Sequence, residues 1–375
     1  MCSDSDRVGR VNVSESIQDS EFSFLLRNLT SMRTMGAHFN REKEGFSPEQ
    51  RPIVQYINFG IIYLDKPSGP SAGQINTWIK DILHVQKTRH KRFFESNTSG
   101  CLLVGIGNAT RLLKSISKSD NEYVAVLHFY GKINIRDLTN SCESLSGQIF
   151  QRPPFICRGN RDLRIRTIRT LNVLEFDDKQ NLALLKISCE EYTRIHLLCN
   201  QIGLMLGVGG KMEELRRVKY GNFNEYEKLV TMYDIIDAYW MYITLKDERY
   251  LRKIILPLET LLVSHRRIIV KDSAVAALCF GAALVNSDII YLDNDIEQGD
   301  DIVFVTSKGE AIALAVAKYS TARIVGGSTC FIAETKRVIM EKEHYRRQWT
   351  EIRKRRQAEE GTNEIAIKRF RCDWE

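Results

Sequence analysis

Residues 56–70 read Tyr-Ile-Asn-Phe-Gly-Ile-Ile-Tyr-Leu-Asp-Lys-Pro-Ser-Gly-Pro, and this stretch decides the fold of the larger part of the chain. The segment from Tyr56 to Leu64 is apolar and rich in β-branched and aromatic residues, so we predict a buried strand. The next six residues contain two prolines and a glycine, which predict a turn. A helix is predicted to follow, with Ser71 as its N-cap. Its apolar face has helical spacing and consists of Ile75, Trp78, Ile79 and Ile82.

More strands and helices are predicted downstream of this stretch. The strands are expected at residues 102–106, 122–130, 163–173 and 182–189, and the helices at 109–118 and 193–206. The 163–173 segment alternates arginine with apolar residues, so one face of that strand is expected to be basic and the other buried. Together these elements predict an α+β domain with a large mixed sheet, ending near Leu256.

A second, smaller unit is predicted at residues 264–341. It begins with a strand at 267–270 and a helix capped by Asp272 or Ser273. Short β segments are predicted at 289–292, 302–306, 310–318, 322–325 and 331–340. The Ser307-Lys308-Gly309 turn joins two of them as a hairpin. The size and strand density of this unit indicate a small β-barrel.

Composition narrows the class of protein. The chain has 375 residues, nine cysteines and a formal net charge of +7. No two cysteines form a Cys-x-x-Cys pair, so we expect reduced thiols in an intracellular protein rather than disulfides or a zinc site. The longest apolar run, residues 274–285, is too short to span a membrane and predicts a buried helix. Basic residues concentrate at 89–92, 158–169, 216–219 and 266–267, which favours a polyanionic partner over four independent solvated faces.

Several longer strings occur in one order along the chain and carry a family resemblance. They are Leu64-Asp-Lys-Pro-Ser-Gly69, Val85-Gln-Lys-Thr-Arg-His90, Gly100-Cys-Leu102, Gln151-Arg-Pro-Pro154, Leu163-Arg-Ile-Arg-Thr-Ile168, Leu206-Gly-Val-Gly-Gly210 and Met212-Glu-Glu-Leu-Arg-Arg-Val218. This set resembles the dyskerin branch of the TruB-type pseudouridine synthases. Two further strings, Val270-Lys-Asp-Ser-Ala-Val275 and Thr306-Ser-Lys-Gly-Glu-Ala-Ile312, resemble a PUA domain.

The resemblance covers roughly residues 21–349 and implies an α+β fold with a TruB-type synthase domain and a small PUA barrel. The domains it implies are an N-terminal extension at 21–62, a synthase domain at 63–256 and a PUA domain at 264–341. We expect residues 1–20 to be disordered and 342–375 to be a charged tail. The implied partners are guide RNA, substrate RNA and the small core proteins of a box H/ACA particle in the nucleus and nucleolus. No cofactor, metal or membrane is expected.

The family chemistry breaks the base–sugar bond of a flipped uridine and rejoins the base through carbon. The family places an aspartate in a Gly-His-x-Gly-Thr-Leu-Asp-Pro loop, with a tyrosine that stacks on the base and an arginine that pairs with the aspartate. Residues 89–96 here read Arg-His-Lys-Arg-Phe-Phe-Glu-Ser, so Glu95 stands at the aspartate position. Tyr123 matches the tyrosine. The family string Gly-Thr-Tyr-Ile-Arg reads Tyr-Thr-Arg-Ile-His at 192–196, so His196 replaces the arginine.

These departures predict impaired catalysis. Glu95 places its carboxyl group one methylene further from the backbone, and a displacement of about 1 Å costs on the order of 10²-fold in rate. Histidine cannot offer a carboxylate the bidentate fork of arginine, and at pH 7 it is largely neutral. Arginine in place of the loop glycines forbids any positive-φ conformation that those glycines supplied. Two alternatives remain open: Arg92 or Arg194 pairs with Glu95 and restores a working site, or the protein is an RNA-binding scaffold outside the H/ACA particle.

Candidate RNA-binding residues lie in the basic clusters and in the matching strings. Arg164 and Arg166 share one strand face and are spaced to contact phosphates. The other candidates are Arg89, Lys91, Arg92, Arg216, Arg217, Lys271 and Lys308. For each of them the competing interpretation is an intramolecular salt bridge at the surface.

Overall fold

We describe the protein from a computed structural model, which covers residues 24–36, 45–91, 94–114, 120–152, 162–221, 223–226, 229–327, 331–342 and 345. The predictions for residues 1–20, for Arg92 and for most of the 342–375 tail lie outside these ranges. The chain divides into two compact units, Ile53–Leu256 and a second that combines Met1–Pro52 with Pro257–Glu375. Within the described ranges every helix is too short or too polar to cross a membrane.

Regular elements are numbered in chain order. The helices are α1 (Ile53–Asn58), α2 (Ala72–Ile82), α3 (Ile135–Leu145), α4 (Ile195–Met205), α5 (Met232–Leu245), α6 (Arg249–Ile254), α7 (Asp272–Cys279) and α8 (Thr321–Val325). The strands are β1 (Arg33–Thr34), β2 (Gly60–Lys66), β3 (Thr88–His90), β4 (Thr98–Ile106), β5 (Asn121–Phe129), β6 (Gly147–Gln151), β7 (Arg164–Asp177), β8 (Leu182–Cys189), β9 (Gly210–Tyr220), β10 (Phe223–Asn224), β11 (Leu256–Pro257), β12 (Arg266–Val270), β13 (Ile289–Leu292), β14 (Asp301–Val305), β15 (Ala311–Ala317) and β16 (Ala333–Val338).

The larger unit is built on a mixed sheet. Its described strands follow the order β11-β2-β4-β9-β5-β8-β7-β6, with β3 attached to β4 and β10 to β9. In β5, buried residues alternate with half-buried ones, so each second side chain enters the core shared with α3 and α4. Strand β9 lies between β4, which is parallel to it, and β5, which is antiparallel. This order brings the start of β4, the middle of β9 and the start of β5 side by side.

The predicted α+β class with a large mixed sheet is confirmed, and some local predictions are wrong. The predicted strand at 56–64 begins only at Gly60, because residues 56–58 belong to α1. Ser71 does cap α2 and forms a reciprocal capping box with Gln74, but Trp78 is 43% exposed rather than in the core. In β7 the expected buried face begins at Ile168, whereas Ile165 is 53% exposed.

The smaller unit holds a six-stranded sheet in the order β1-β13-β12-β14-β15-β16. The hairpin between β14 and β15 is present, with Gly309 at φ +92° in its turn. The N-cap position of α7 is Lys271, whose side chain makes no capping hydrogen bond, and not Asp272 or Ser273. The helix ends at Cys279, so the apolar run 274–285 is not one buried helix. The segment 322–325, predicted as β, lies in α8.

A buried ion cluster stabilises the smaller unit. Arg51 forms a bidentate pair with Glu259, at 2.6 and 3.1 Å, and its Nε donates to Oε1 of Glu310 at 3.1 Å. All three side chains are at most 2% exposed. Burial raises the pKa of Glu310, and the positive charge of Arg51 opposes that rise. Arg51 thereby ties the segment before α1 to β15 and to the turn after β11.

Candidate active site

A small cavity opens at the place where β4, β5 and β9 lie side by side. Its lining residues are Phe94, Glu95, Thr98, Tyr123, Thr193, Ile195 and Leu215. Glu95 comes from the loop before β4, Tyr123 from β5, and Ile195 from the first turn of α4. Two of the three predicted catalytic residues therefore line one cavity, although they are 28 positions apart in the sequence.

The third predicted residue, His196, contacts Glu95 directly. Its Nδ1 lies 3.2 Å from Oε1 of Glu95, and both side chains are about one third exposed. The two atoms are within ion-pair distance. The interaction with His196 is the main reason that the pKa of Glu95 is lowered, and burial opposes it. The carboxyl group is therefore ionised at neutral pH.

Arg194 also acts on Glu95, but less strongly. Its charge is the smallest of the contributions that lower the pKa of Glu95. The backbone of Arg194 is held by the side chain of Gln151, whose Nε2 donates to the carbonyl oxygen at 3.1 Å and whose Oε1 accepts from the amide at 2.9 Å. Arg92, the other residue predicted as a possible partner of Glu95, lies outside the described residues.

Tyr123 is buried at the floor of the cavity, with 6% of its surface exposed. Burial raises the pKa of Tyr123 to about 12, so the phenol remains protonated at neutral pH. Its cross-strand partner on β9 is Arg217, and a β-bulge between Glu122 and Tyr123 interrupts the register there.

Lys66, the last residue of β2, anchors the loop that carries Glu95. Its side chain is fully buried, and Nζ donates to the carbonyl oxygens of Ser96 and Thr98, each at 2.9 Å. Burial lowers the pKa of Lys66 to about 8, so the ammonium group is still charged at pH 7. Sequence reasoning did not assign Lys66 a role. The available signal was a lysine that ends an otherwise apolar strand, since such a cation needs acceptors.

Tyr192 stands where the family has a glycine, and its backbone has φ +74°. This left-handed conformation costs a residue with a Cβ atom roughly 1–2 kcal/mol. The strained residue is four positions before His196 and two before Arg194, so the turn into α4 carries strain next to the site.

Changing Tyr192 to glycine should raise the free energy of unfolding by about 0.5–1 kcal/mol, because glycine removes the Cβ clash but adds flexibility to the unfolded chain. Urea denaturation would measure this. Asn181 is a matched control, since it has φ +51° and asparagine tolerates that region. Asn181→Gly should change stability little, and a loss of stability in Tyr192→Gly would contradict the strain argument.

The predicted RNA-binding residues of the larger unit fall into two groups. Arg89 on β3 and Arg164 on β7 are exposed. Arg166 donates to Glu190 at 2.9 Å, and the mostly buried Lys91 lies 3.5 Å from Glu191. Arg89 and Arg164 are therefore the better candidates for phosphate contacts. The side chains of Arg166 and Lys91 already face carboxylates of the protein.

Arg216 and Arg217 are neighbours with different surroundings. Arg216 forms a bidentate pair with Asp65, at 3.0 and 3.1 Å, and donates to Glu225 at 3.0 Å, so it is engaged in a salt-bridge network. Arg217 is only 4% exposed, and its guanidinium donates twice to the carbonyl oxygen of Cys101. This burial makes Arg217 a weaker candidate for phosphate contacts than the exposed Arg89 and Arg164.

The two candidates of the smaller unit lie near its turns. Lys271 is half-buried at the N-terminus of α7. Nζ of Lys308, in the β14–β15 turn, donates to the carbonyl oxygen of Gly45 at 2.9 Å. Among the described residues no cluster of histidine, cysteine or acidic side chains is arranged to hold a metal ion.

Comparison with known proteins places these residues in a family context. The DKCLD (NUC011) domain matches residues 19–75, the tRNA pseudouridylate synthase B C-terminal domain matches 197–263, and the PUA domain matches 266–339. The H/ACA ribonucleoprotein complex subunit CBF5 of Saccharomyces cerevisiae is 44% identical over 335 residues, which are 89% of this chain and 69% of the yeast protein. The subunit DKC1 of Homo sapiens is 42% identical over 337 residues, covering 89% of this chain and 65% of the human protein.

Solved structures agree with these sequence matches. The crystal structure of a Cbf5-Nop10-Gar1 complex superposes with a TM-score of 0.74 at 34% identity, covering 84% of this chain and 95% of that one. The structure of an H/ACA RNP bound to a substrate RNA containing 2'-deoxyuridine gives a TM-score of 0.75 at 33% identity, covering 85% and 97%. The fold is thus that of a TruB-type synthase domain with a PUA domain. The chain belongs to the dyskerin family, the family of the H/ACA ribonucleoprotein complex subunits CBF5 and DKC1.

Proposed function

We propose that this protein is the RNA-binding, pseudouridine-synthase-type subunit of a box H/ACA ribonucleoprotein, and that its own catalysis is impaired. Its family members carry the H/ACA subunit name, and its structural relatives are seen with Nop10, Gar1 and a substrate RNA. The partners we propose are accordingly guide RNA, substrate RNA and small core proteins of those kinds. The proposed location is the nucleus and nucleolus.

The proposal assigns each domain a part. Residues 21–62 form the N-terminal extension, 63–256 the synthase domain and 264–341 the PUA domain. Arg89 and Arg164 supply phosphate contacts in the synthase domain, and Lys271 and Lys308 are the candidates in the PUA domain. Glu95 and Tyr123 line the pocket that receives the target base.

The observation that carries the impaired-catalysis part is the contact between Glu95 and His196. An arginine would hold a carboxylate by two parallel hydrogen bonds and remain charged at every working pH. The imidazole instead offers Glu95 a single nitrogen, Nδ1, at 3.2 Å from Oε1. The carboxyl group of Glu95 is also carried on a side chain one methylene longer than aspartate. The position of the reacting carboxyl group and the residue that holds it therefore both differ from those of the family.

Guided conversion of uridine to pseudouridine tests this part, with purified particle and Glu95→Ala as the control. We expect conversion at least on the order of 10²-fold slower than that of a family member with aspartate and arginine at these positions. Fast turnover that the Glu95→Ala change abolishes would show that Glu95 is a working nucleophile. The lowered pKa of Glu95 and the nearby charge of Arg194 favour that second candidate function.

Co-purification of RNA with the protein tests whether the protein is a subunit of a box H/ACA ribonucleoprotein. Box H/ACA RNA should co-purify with the full chain from nuclear extract, and Nop10-like and Gar1-like proteins should co-purify with it. Recovery of other RNAs without these partners would instead support a scaffold outside the particle.

A further inference from the structure

Arg217 is a buried cation beside the site, and the catalytic roles that the family resemblance implies do not include it. Its guanidinium carbon lies 4.4 Å from the ring centroid of Phe94 and 4.9 Å from that of Tyr220. Nε and Nη2 donate to the carbonyl oxygen of Cys101 at 2.8 and 2.6 Å. The guanidinium is thus held by aromatic faces and a backbone carbonyl.

Carboxylates do not explain the position of Arg217. Within the described residues none lies within salt-bridge distance of it, whereas the neighbouring Arg216 faces both Asp65 and Glu225. A buried charge without a carboxylate is costly unless other groups stabilise it. Here cation–π contacts with Phe94 and Tyr220 and the hydrogen bonds to Cys101 do so. A side chain whose charge is buried at such a cost in free energy is a candidate for a specific role.

The backbone around Arg217 is arranged for close approach. Gly100 pairs with Arg217 across the parallel β4–β9 ladder and has φ +94°. A Cβ atom at position 100 would collide with the carbonyl oxygen of Arg217. Only glycine therefore allows β4 to bring Cys101 and the loop before it this near to the guanidinium.

Arg217 contacts two of the residues that line the cavity. The Phe94 ring, next to Glu95 in the sequence, stacks on it. Tyr123 is its direct cross-strand partner on β5. Interaction with Arg217 also opposes the rise in the pKa of Tyr123 that burial causes. One side chain thus orients an aromatic ring from the catalytic loop and an aromatic ring from the sheet.

We propose that Arg217 is a positioning residue of the base pocket, which holds Phe94 and Tyr123 in the arrangement that receives a flipped pyrimidine nucleotide. This inference rests on the proposed function, since it concerns RNA bound at that site. It separates two properties: capture of the flipped base depends on Arg217 and the two rings, and the chemical step depends on Glu95 and His196. A site with impaired chemistry keeps its capture function as long as Arg217 remains.

The test compares two substrate RNAs on the full-length protein loaded with guide RNA. The RNAs are identical except that one carries uridine and the other an abasic nucleotide at the target position. The ratio of their dissociation constants isolates the contribution of the base, because guide pairing and phosphate contacts are common to both. Stacking of a base on aromatic side chains predicts a preference for uridine on the order of tenfold.

Three variants decide the outcome. Arg217→Met should reduce the ratio to about one, and Arg217→Lys, which keeps the charge but not the planar fork, should lower it roughly threefold. Arg252→Met is the matched control, since Arg252 also stacks on a tyrosine, at 4.8 Å from the Tyr56 ring, but Tyr56, unlike Phe94 and Tyr123, does not line the cavity. The control should retain the ratio of the unmodified protein. Arg217→Lys is decisive if Arg217→Met does not fold.

Each other result overturns the inference. An unchanged ratio in Arg217→Lys, or equal weakening of both RNAs, would mean that Arg217 is only structural. A ratio of one in the unmodified protein would mean that no base is captured, although guide RNA still binds and the proposed function stands. Failure to bind guide RNA at all would overturn the proposed function itself.

Discussion

Changing Glu95 to aspartate and His196 to arginine together should raise the rate of guided uridine conversion on the order of 10²-fold over the unmodified protein. The aspartate withdraws the carboxyl group by one methylene, to the length the family uses. The arginine then holds it by a bidentate, permanently charged pair in place of the single 3.2 Å contact with the imidazole. Single-turnover conversion on a guided substrate is the measurement.

Neither single change is expected to reach this rate. Glu95→Asp alone leaves a short imidazole opposite a shortened carboxylate, so their separation grows. His196→Arg alone gives a longer side chain facing the longer glutamate in a space that now fits the histidine. The gain should therefore be strongly non-additive, as expected for groups in direct contact.

Control variants keep this result interpretable. Glu95→Ala combined with His196→Arg should be inactive, because it removes the carboxyl group and keeps the new cation. Full rescue by Glu95→Asp alone would contradict the argument that His196 limits the site. If the double change shows no gain, the limiting defect lies elsewhere. The next positions to restore are Arg89 and Ser96 in the altered loop and the strained Tyr192 in the turn before α4.

Changing Arg51 to methionine should lower the free energy of unfolding of the smaller unit by about 3–5 kcal/mol. The change leaves Glu259 and Glu310 buried, at 0% and 1% exposure, without the cation that faces both. Hydrogen exchange of the β12–β15 amides reports on this unit. Arg266→Met is the control, since its pair with Asp295 is exposed at 3.5 Å and should contribute less than about 1 kcal/mol.

The defect of this variant should also depend on pH. Burial raises the pKa of Glu310 in the folded state, and removal of Arg51 takes away the charge that opposes the rise. A carboxyl group whose folded pKa is raised binds its proton more tightly in the folded state. Stability then falls as pH rises through the interval between the unfolded and the folded pKa. The deficit of Arg51→Met should accordingly shrink as pH is lowered from 7 towards the ordinary value of a glutamate. A constant deficit would contradict this account.

The local sequence pattern was sufficient to predict the main strands of the fold. It was insufficient to predict the ends and the type of its short elements. The strands predicted at 122–130 and 182–189 both form within one residue of the prediction, and buried and half-buried residues alternate along each of them. Residues 56–58 and 322–325 are short segments, in which neither length nor periodicity separates helix from strand. Both segments are helical in the structure, and tertiary packing determines which of the two conformations forms.

In the candidate site too, sequence pattern identified some residues and only the folded structure identified the others. Glu95, Tyr123 and His196 were selected by their positions within family strings, and the fold brings the three together. Arg217 was predicted as a phosphate ligand because arginines in a basic cluster look alike in a sequence. Only the pairing of β9 with β4 and β5 shows that Arg216 points to carboxylates and Arg217 to the interior. Lys66 escaped attention for the same reason, since its acceptors lie about thirty residues away in the chain.

The two-residue strand β1 pairs with β13 at one margin of the smaller sheet, while Arg267 holds the carbonyl oxygens of Leu25 and Arg27. The pairing with β1 occupies backbone groups of β13 that would otherwise face outwards as open hydrogen-bonding positions, and the contacts of Arg267 hold the segment before β1. A protein shortened from its amino terminus past Thr34 would uncover that margin, and uncovered margins recruit strands from other molecules. Recombinant forms meant to stay monodisperse should therefore retain the residues before α1, even though these lie far in sequence from the pocket.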